Sequence, residues 1–352
     1  MPSSLLVFAA PALGAAMAPF SMSSRPAPTQ EAARITLGIG SIGYSTNSTM
    51  PDSFFNSTMN STLLIRFDRP VGSGQGGSVF EAHSEETVMP LVVKFNSVES
   101  EAARQVGGRV MRAVDLKKEI ASWSYLMSEP NVLPLLGLVG ADGQVIKSPD
   151  GRSFRLPGML MPKIEGVMLK AKIKELAAGS VVYQIDCFFN KAFDIVSSIW
   201  ARGLRHGDCH IGNFMVLRKP STDSMSNQTV TDDMSGLAAS SSSDSCDELT
   251  VIDFGWSAVL SPSLGAIGKV ADAKILCQSF ENNLGRYRLA VPPLAGFISL
   301  LKSNISPHRE MWNLDSQGKQ HLCGIRKGID ASKGFYCLPQ LAAFIDRYVT
   351  CL

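Results

Sequence analysis

A lysine in the middle of an apolar strand restricts this chain more than any other residue. Leu91-Val92-Val93-Lys94-Phe95 reads as a buried β-strand, and nothing in its pattern calls for a charge. A buried ammonium needs an anion, because leaving it unpaired away from water is strongly unfavourable. Fifteen residues before Lys94, Val79 ends the run Gly72-Ser73-Gly74-Gln75-Gly76-Gly77-Ser78-Val79. The run matches G-x-G-x-x-G-x-V, with an additional glycine at position 76. Glycines also mark ordinary hairpin turns, so the motif alone is weak. Its setting is more specific. It lies among β-like runs at Leu63–Phe67, Val79–Ala82 and Leu91–Phe95 rather than opening a helix, which argues against a Rossmann dinucleotide turn. Backbone N–H groups of such a loop can close over phosphates where no Cβ intervenes, and Lys94 can neutralise the α and β groups.

Lys94 then needs an orienting carboxylate. The stretch LKKEIASWSYLM has Leu116, Ile120, Trp123 and Met127 at helical spacing, which sets Glu119 beside the packed face. Glu99 and Glu101 are rivals in a polar stretch, and the alternative for Glu119 is an exposed carboxylate pairing with Lys117 or Lys118. Val132–Val139 and Gly158–Met161 read as further strands. A long helix is predicted from about Val181 to Arg202, with Ile185, Phe188, Phe189, Ala192, Ile195, Val196 and Ile199 on its apolar face.

The chain has 352 residues, enough for one large domain or two lobes. With 33 Lys and Arg against 31 Asp and Glu, it lacks the concentrated basic surface of a nucleic-acid-coating protein, so no nucleic-acid partner is expected. Two stretches are too polar to pack. Tyr44–Thr62 holds 12 Ser, Thr or Asn in 19 residues and reads as a flexible arm. Lys219–Glu248 holds nine Ser and six carboxylates against one Lys. Its flanks, FMVLR and ELTVIDF, are strand-like, so it reads as a hairpin whose turn carries a disordered acidic insertion. A passive linker and a phosphorylation target are the two readings of that insertion.

The seven cysteines are odd in number, far apart and without a C-x-x-C pair, which fits neither a zinc site nor a small disulfide framework. Reduced, mostly structural thiols in an intracellular, cytoplasmic protein are expected. Residues 5–20 are apolar but interrupted by Pro11, Gly14 and Pro19, and too short for a membrane span. No stable span is therefore expected; a disordered leader is the first reading and a targeting segment the second. Asn47, Asn56 and Asn60 begin N-x-S/T triplets, which matter only in the secretory pathway.

After the long helix comes Gly203-Leu204-Arg205-His206-Gly207-Asp208-Cys209-His210-Ile211-Gly212-Asn213-Phe214-Met215-Val216, and beyond the insertion Val251-Ile252-Asp253-Phe254-Gly255-Trp256. With these motifs in order after the glycine loop, Lys94 and Glu119, the chain resembles the protein-kinase-like phosphotransferases over roughly Leu63 to Lys274. The resemblance implies an α+β, bilobal protein-kinase-like fold, with a β-rich N-lobe carrying one regulatory helix and a mostly helical C-lobe. The expected division is a leader or arm over 1–62, an N-lobe over 63–162 and a C-lobe over 163–352 interrupted by the insertion at 219–248. It also implies ATP and Mg2+ as cofactors. Asp208 would be the base or orienter of the acceptor hydroxyl, Asn213 and Asp253 the metal ligands, and the run Gly72–Val79 with Lys94 the phosphate cradle. Val79, Val92 and Met215 would sandwich the adenine ring, Met161–Glu165 would be the hinge, and Phe254 would pack on His206. Core packing is the plain reading of the three apolar residues and is compatible with that role.

Three features depart from the protein-kinase pattern. Gly207 stands where most eukaryotic members have Arg, which argues against control through a phosphorylated activation loop. No A-P-E follows Asp253, and Asp272 is a candidate for the buried aspartate that braces the catalytic loop. HGDCHIGN is similar to the loop of aminoglycoside phosphotransferases and choline kinases, whereas the N-terminal motifs are similar to protein kinases. A divergent Ser/Thr protein kinase with a protein substrate is the first expectation, and a kinase of small hydroxylated molecules is the second. A pseudokinase scaffold is the third, opposed by the presence of Lys94, Glu119, Asp208, Asn213 and Asp253. Cys209 is read as a buried small residue rather than an oxidisable switch. His210 is open between a γ-phosphate contact and a bond within the loop.

Overall fold

The strand that holds Lys94 divides its side chains between two cores. In the computed structural model it spans Thr87–Ser97, and Leu91, Val93 and Phe95 enter one cluster with Ile65, Phe80, Ala82, Val139, Phe154, Leu156 and Leu160. Val92 points the other way, into the larger cluster that also holds Leu116, Ile120, Trp123, Met159 and Met161. The two-residue period therefore places Lys94 and Asn96 on the side of Val92. The structure describes residues 34–35, 39–40, 63–74, 76–84, 87–101, 104–106, 109–111, 115–140, 142–148, 151–217, 246–261, 265–285, 287, 294, 296–305, 313–329 and 334–351. Of the expected leader or arm over 1–62 only residues 34–35 and 39–40 are described, and the polar arm Tyr44–Thr62, the N-x-S/T sites, Gln75 and residues 219–245 of the insertion lie outside them.

The N-terminal part is rich in sheet and the part after it in helix. The strands are β1 (Arg34–Ile35), β2 (Ile39–Gly40), β3 (Leu63–Ser73), β4 (Gly77–Ser84), β5 (Thr87–Ser97), β6 (Arg104–Val106), β7 (Arg109–Met111), β8 (Gly137–Val139), β9 (Val145–Lys147) and β10 (Ser153–Pro162). They continue with β11 (Gly166–Met168), β12 (Leu204–Arg205), β13 (Phe214–Leu217), β14 (Leu249–Val251) and β15 (Ala258–Val259). The main sheet runs β1-β3-β4-β5-β10-β8-β2, with β9 on β10. All its pairs are antiparallel. Phe80 meets Phe154 edge-on at 5.4 Å, and Phe95 lies 6.2 Å from both, so three rings fill one face of the sheet.

The helices are α1 (Leu116–Leu126), α2 (Leu169–Ala178), α3 (Val182–Ala201), α4 (Gly265–Leu284), α5 (Phe297–Asn304), α6 (Ser316–Lys327) and α7 (Leu338–Asp346). The carboxylate of Asp115 caps α1 by accepting from the Lys118 N–H at 3.2 Å. Helix α3 matches its predicted span to within a residue at each end, and buries Ile185, Phe188, Phe189, Ala192, Phe193, Ile195, Val196, Ile199 and Trp200. The predicted hairpin is present: β13 pairs antiparallel with β14, Met215 opposite Thr250. The last three residues of the Lys219–Glu248 stretch belong to the folded chain, with Cys246 buried and the Glu248 carbonyl accepting from Leu217 N–H at 2.9 Å.

Two expectations need correction. Val132–Val139 is not one strand: only Gly137–Val139 pairs in the sheet, while Val132 makes an isolated parallel bridge to Val251. The chain there links two sheets, which buries Val132, Leu133, Leu135 and Val139, whereas Leu136 is exposed. The cysteines are not reduced thiols: Cys187–Cys246, Cys277–Cys337 and Cys323–Cys351 are disulfides, and Cys209 alone is free. Their separations of 59, 60 and 28 residues hide the pairing from any short-range spacing rule. Among the described residues, no helix is long and apolar enough to cross a membrane. Phe80→Ala empties the centre of the three-ring cluster; denaturant titration is expected to show a loss of about 3–5 kcal/mol.

Candidate active site

The glycine run forms the turn between β3 and β4. Gly74 N–H donates to the Gly77 carbonyl at 2.9 Å, and Ser97 N–H to Gly76 at 3.1 Å. Its glycines serve different needs. A Cβ on Gly77 would sit 2.0 Å from the Phe95 carbonyl, so close strand approach demands glycine there. Gly72 and Gly74 have nothing within 4 Å of where a Cβ would stand, so packing does not demand glycine there. Gly72 and Ser73 are exposed, whereas Ser78 is buried and accepts from Arg152 Nη1 at 3.1 Å. Ser78 is thus committed to the sheet rather than to the turn.

Lys94 lies between Val79 on β4 and Met159 on β10. Its ammonium donates to Glu119 Oε1 at 2.5 Å and to Asp253 Oδ1 at 2.9 Å, joining β5, α1 and the segment after β14. Glu119 is fully buried, and Asn96 Nδ2 donates to its other oxygen at 3.3 Å. Burial alone would push Lys94 down, but the Glu119 and Asp253 carboxylates hold it above its ordinary value. Burial likewise opposes the charge on Asp253, yet Lys94 and the Gly255 N–H keep its carboxyl below the usual range. On Glu119, burial pushes up and Lys94 pulls back. The rival Glu99 is exposed.

The loop from β12 to β13 is held from below by α4. Asp272 is buried and accepts from the N–H groups of His206 at 3.0 Å and Gly207 at 3.1 Å, and from Trp200 Nε1 at 3.1 Å. This is the bracing aspartate that the sequence suggested. Arg205 approaches it at 3.3 Å. Asn213 Nδ2 donates to the Asp208 carbonyl at 2.9 Å and lies 3.4 Å from its carboxylate. Burial raises Asp208 above the ordinary aspartate range, with the neighbouring His210 and His206 opposing and Asp253 adding to the rise. His210 Nε2 sits 3.5 Å from Asp208 Oδ2, while its Nδ1 accepts from Gly212 N–H at 3.0 Å. The loop bond foreseen for His210 is therefore made, and the ring still faces Asp208.

His206 is buried and held below its usual value by that burial. Its Nε2 lies 3.3 Å from the Ile252 carbonyl and its Nδ1 accepts from Asp208 N–H, an arrangement that suits the neutral ring with the proton on Nε2. Phe254 packs between His206, 5.1 Å away, and Trp123 of α1, 5.5 Å away. The His206–Phe254 contact was expected; the contact with Trp123 was not, although Trp123 falls on the apolar face of the predicted helix. Asn96 was also missed, and its signal was its position two residues beyond Lys94. Val92 is buried in the larger core and Val79 packs against it. Met215 is half-buried on β13, on the side opposite Phe214 and Val216. Met161 and Pro162 end β10, and residues 163–165 link it to β11 without regular structure.

The donor set suits magnesium. Asp253 offers a carboxylate and Asn213 an amide oxygen that is not the atom spent on Asp208, hard ligands of the kind that share the ion with phosphates and water. Among the described residues, no group of three or more His, Cys, Asp or Glu could hold a metal by protein ligands alone. No protein-family model matches the chain, and no curated protein matches it significantly.

Gly207 has φ +81°, and a Cβ there would lie 2.1 Å from the Trp256 carbonyl. The glycine of the His206-Gly207-Asp208 triplet is therefore imposed by backbone geometry. Gly207→Ala is expected to cost about 1–3 kcal/mol in denaturant titration and to displace Asp208, its neighbour.

Proposed function

We propose that the chain is an ATP- and magnesium-dependent phosphotransferase with a bilobal protein-kinase-like fold, and that its acceptor is a Ser or Thr hydroxyl of a protein. One observation carries the reading. Lys94 bridges Glu119 and Asp253, residues 25 and 159 positions away, so the phosphate-binding cation, its orienter and a metal ligand meet in one place. Phosphoryl transfer needs little else, since it is mainly positioning and charge stabilisation. The turn between β3 and β4 would hold the phosphates through its backbone N–H groups, and Lys94 would neutralise part of their charge. Asp208, held by Asn213 and braced through its neighbours by Asp272, accepts the proton of the acceptor hydroxyl and aims its oxygen in line. Asn213 and Asp253 would hold the magnesium ion, which supplies neutralisation of the charge on the transferring group. Val79, Val92 and Met215 line the place for adenine.

The acceptor has a second reading, a small hydroxylated molecule, and a specific feature favours it. Helix α4 begins at Gly265, only twelve residues after Asp253, so little chain is left to build a platform for a peptide. Arg205 is close to Asp272, and Gly207 replaces the arginine that would read a phosphorylated loop.

Incubation with Mg-ATP and either generic protein substrates or a panel of hydroxylated metabolites, read as ADP release, separates these acceptors. Asp208→Asn is expected to lower turnover by about 10²–10⁴-fold. Thermal shift with Mg-ATP is expected to show stabilisation by mass action, and a scaffold that binds no nucleotide would show none. Because Asp208 must be ionised to act and its pKa is raised, kcat/KM is expected to fall on the acid side at a higher pH than an ordinary aspartate, about 3.9, would give.

A further inference from the structure

The sequence offers seven cysteines, and the fold sorts them sharply. Six form three pairs with Cα–Cα distances of 5.9, 5.7 and 5.3 Å, inside the roughly 4.4–6.8 Å range that a disulfide spans. Each pair joins different elements. Cys187 of α3 meets Cys246 ahead of β14, Cys277 of α4 meets Cys337 at the start of α7, and Cys323 of α6 meets Cys351 near the C-terminal end. Residues 28 to 60 positions apart are thus brought into bonding geometry by the packing of the elements that carry them. Among the described residues, no group of three or more His, Cys, Asp or Glu could hold a metal ion. The seventh cysteine accounts for the odd number. Cys209 is buried beside Asp208, donates its thiol to the Asp272 carbonyl at 3.0 Å, and is pushed up by burial, all of which make it inert.

We propose that these six cysteines are sites of native cross-linking and that the chain matures in an oxidising compartment. Each closure removes two thiol protons and two electrons from a pair of cysteines. A thiolate attacks the disulfide of an oxidant, either a disulfide-bearing protein or oxidised glutathione; the second cysteine displaces the mixed disulfide, and the oxidant leaves as thiols carrying the two electrons. The bridge from α3 has a direct bearing on the site. It fixes Cys246, seven residues before Asp253, against α3, and the segment it closes contains Asp208 and Asn213. Lys191 of α3 reinforces that anchor by donating to the carbonyls of Cys246 at 2.6 Å and Asp247 at 3.1 Å.

The test does not involve phosphoryl transfer, so it stands or falls apart from the proposed activity. The full chain is refolded in a glutathione redox buffer of the poise found in the secretory pathway, unfolded without reductant, and alkylated with N-ethylmaleimide. Peptide mapping without reductant should find Cys209 as the one alkylated cysteine and the three linked peptide pairs 187–246, 277–337 and 323–351. Seven alkylated cysteines, or a different set of links, would overturn the proposal. As a second readout, the variant with Cys187→Ser and Cys246→Ser should melt about 5–15 °C below the oxidised wild type. Equal melting temperatures would show that this bridge constrains nothing. The thiol count is made on the wild-type chain and holds even if the variant fails to fold.

Discussion

The Lys94 ammonium is the point on which the rest of the site depends. It is nearly buried on a strand whose neighbours are apolar, so it exists as a cation only because two carboxylates face it. Each partner is brought by a different part of the chain, Glu119 by α1 and Asp253 by the segment after β14. Removing Lys94 would leave two carboxylates without their cation, Glu119 among them fully buried, which costs more than the net worth of an intact pair; removing either carboxylate would leave Lys94 with a single partner. The same interaction joins the sheet to α1 and to the segment that follows β14. The packing of Phe254 between Trp123 and His206 carries that connection into the loop that holds Asp208.

Much of this was legible in the sequence because it rests on local rules. A strand alternates its faces, so a charge inside LVVKF had to point at something, and a helix with Ile120 and Trp123 buried had to bury Glu119 beside them. The hairpin flanking the insertion was equally legible, since both flanks had strand character. What stayed hidden depends on tertiary contact. Asn96 reads as an ordinary polar residue until α1 is known to set Glu119 against the face of β5 that Asn96 shares with Lys94. The cysteine pairs connect parts of the chain whose neighbourhood in space no spacing rule states.

Helix α4 shows the same limit from another side. It is buried nearly all round, and therefore lacks the one-sided apolar stripe that announces a helix. Two of its buried residues are carboxylates nine positions apart, which at 100° per residue sets them on opposite sides of the axis. Asp272 takes the N–H groups of His206 and Gly207. Glu281 takes those of Phe335, Tyr336, Cys337 and Leu338 at 2.8 to 3.1 Å. One helix thus fixes the loop of the candidate site on one side and the start of α7 on the other. Glu281 is spent on backbone donors alone, whereas Asp272 also takes the indole N–H of Trp200, and of the two only Asp272 was legible in the sequence.

Asp253 completes the account of how the site is held. Its φ is +66°, a conformation that a residue with a side chain adopts at a cost of about 1–3 kcal/mol unless its surroundings impose it. The surroundings here are specific: Lys94 holds one carboxylate oxygen at 2.9 Å, and the Gly255 N–H reaches the same atom at 3.3 Å. The next residue, Phe254, is fully buried, so its packing resists any rotation that would relax the backbone. The strain at Asp253 is therefore balanced by the lysine that opened the sequence argument, and the two residues fix each other's position. Lys94 and Asp253 thus hold one another by contacts within the chain, which is the preorganisation that the proposed transfer by positioning would require.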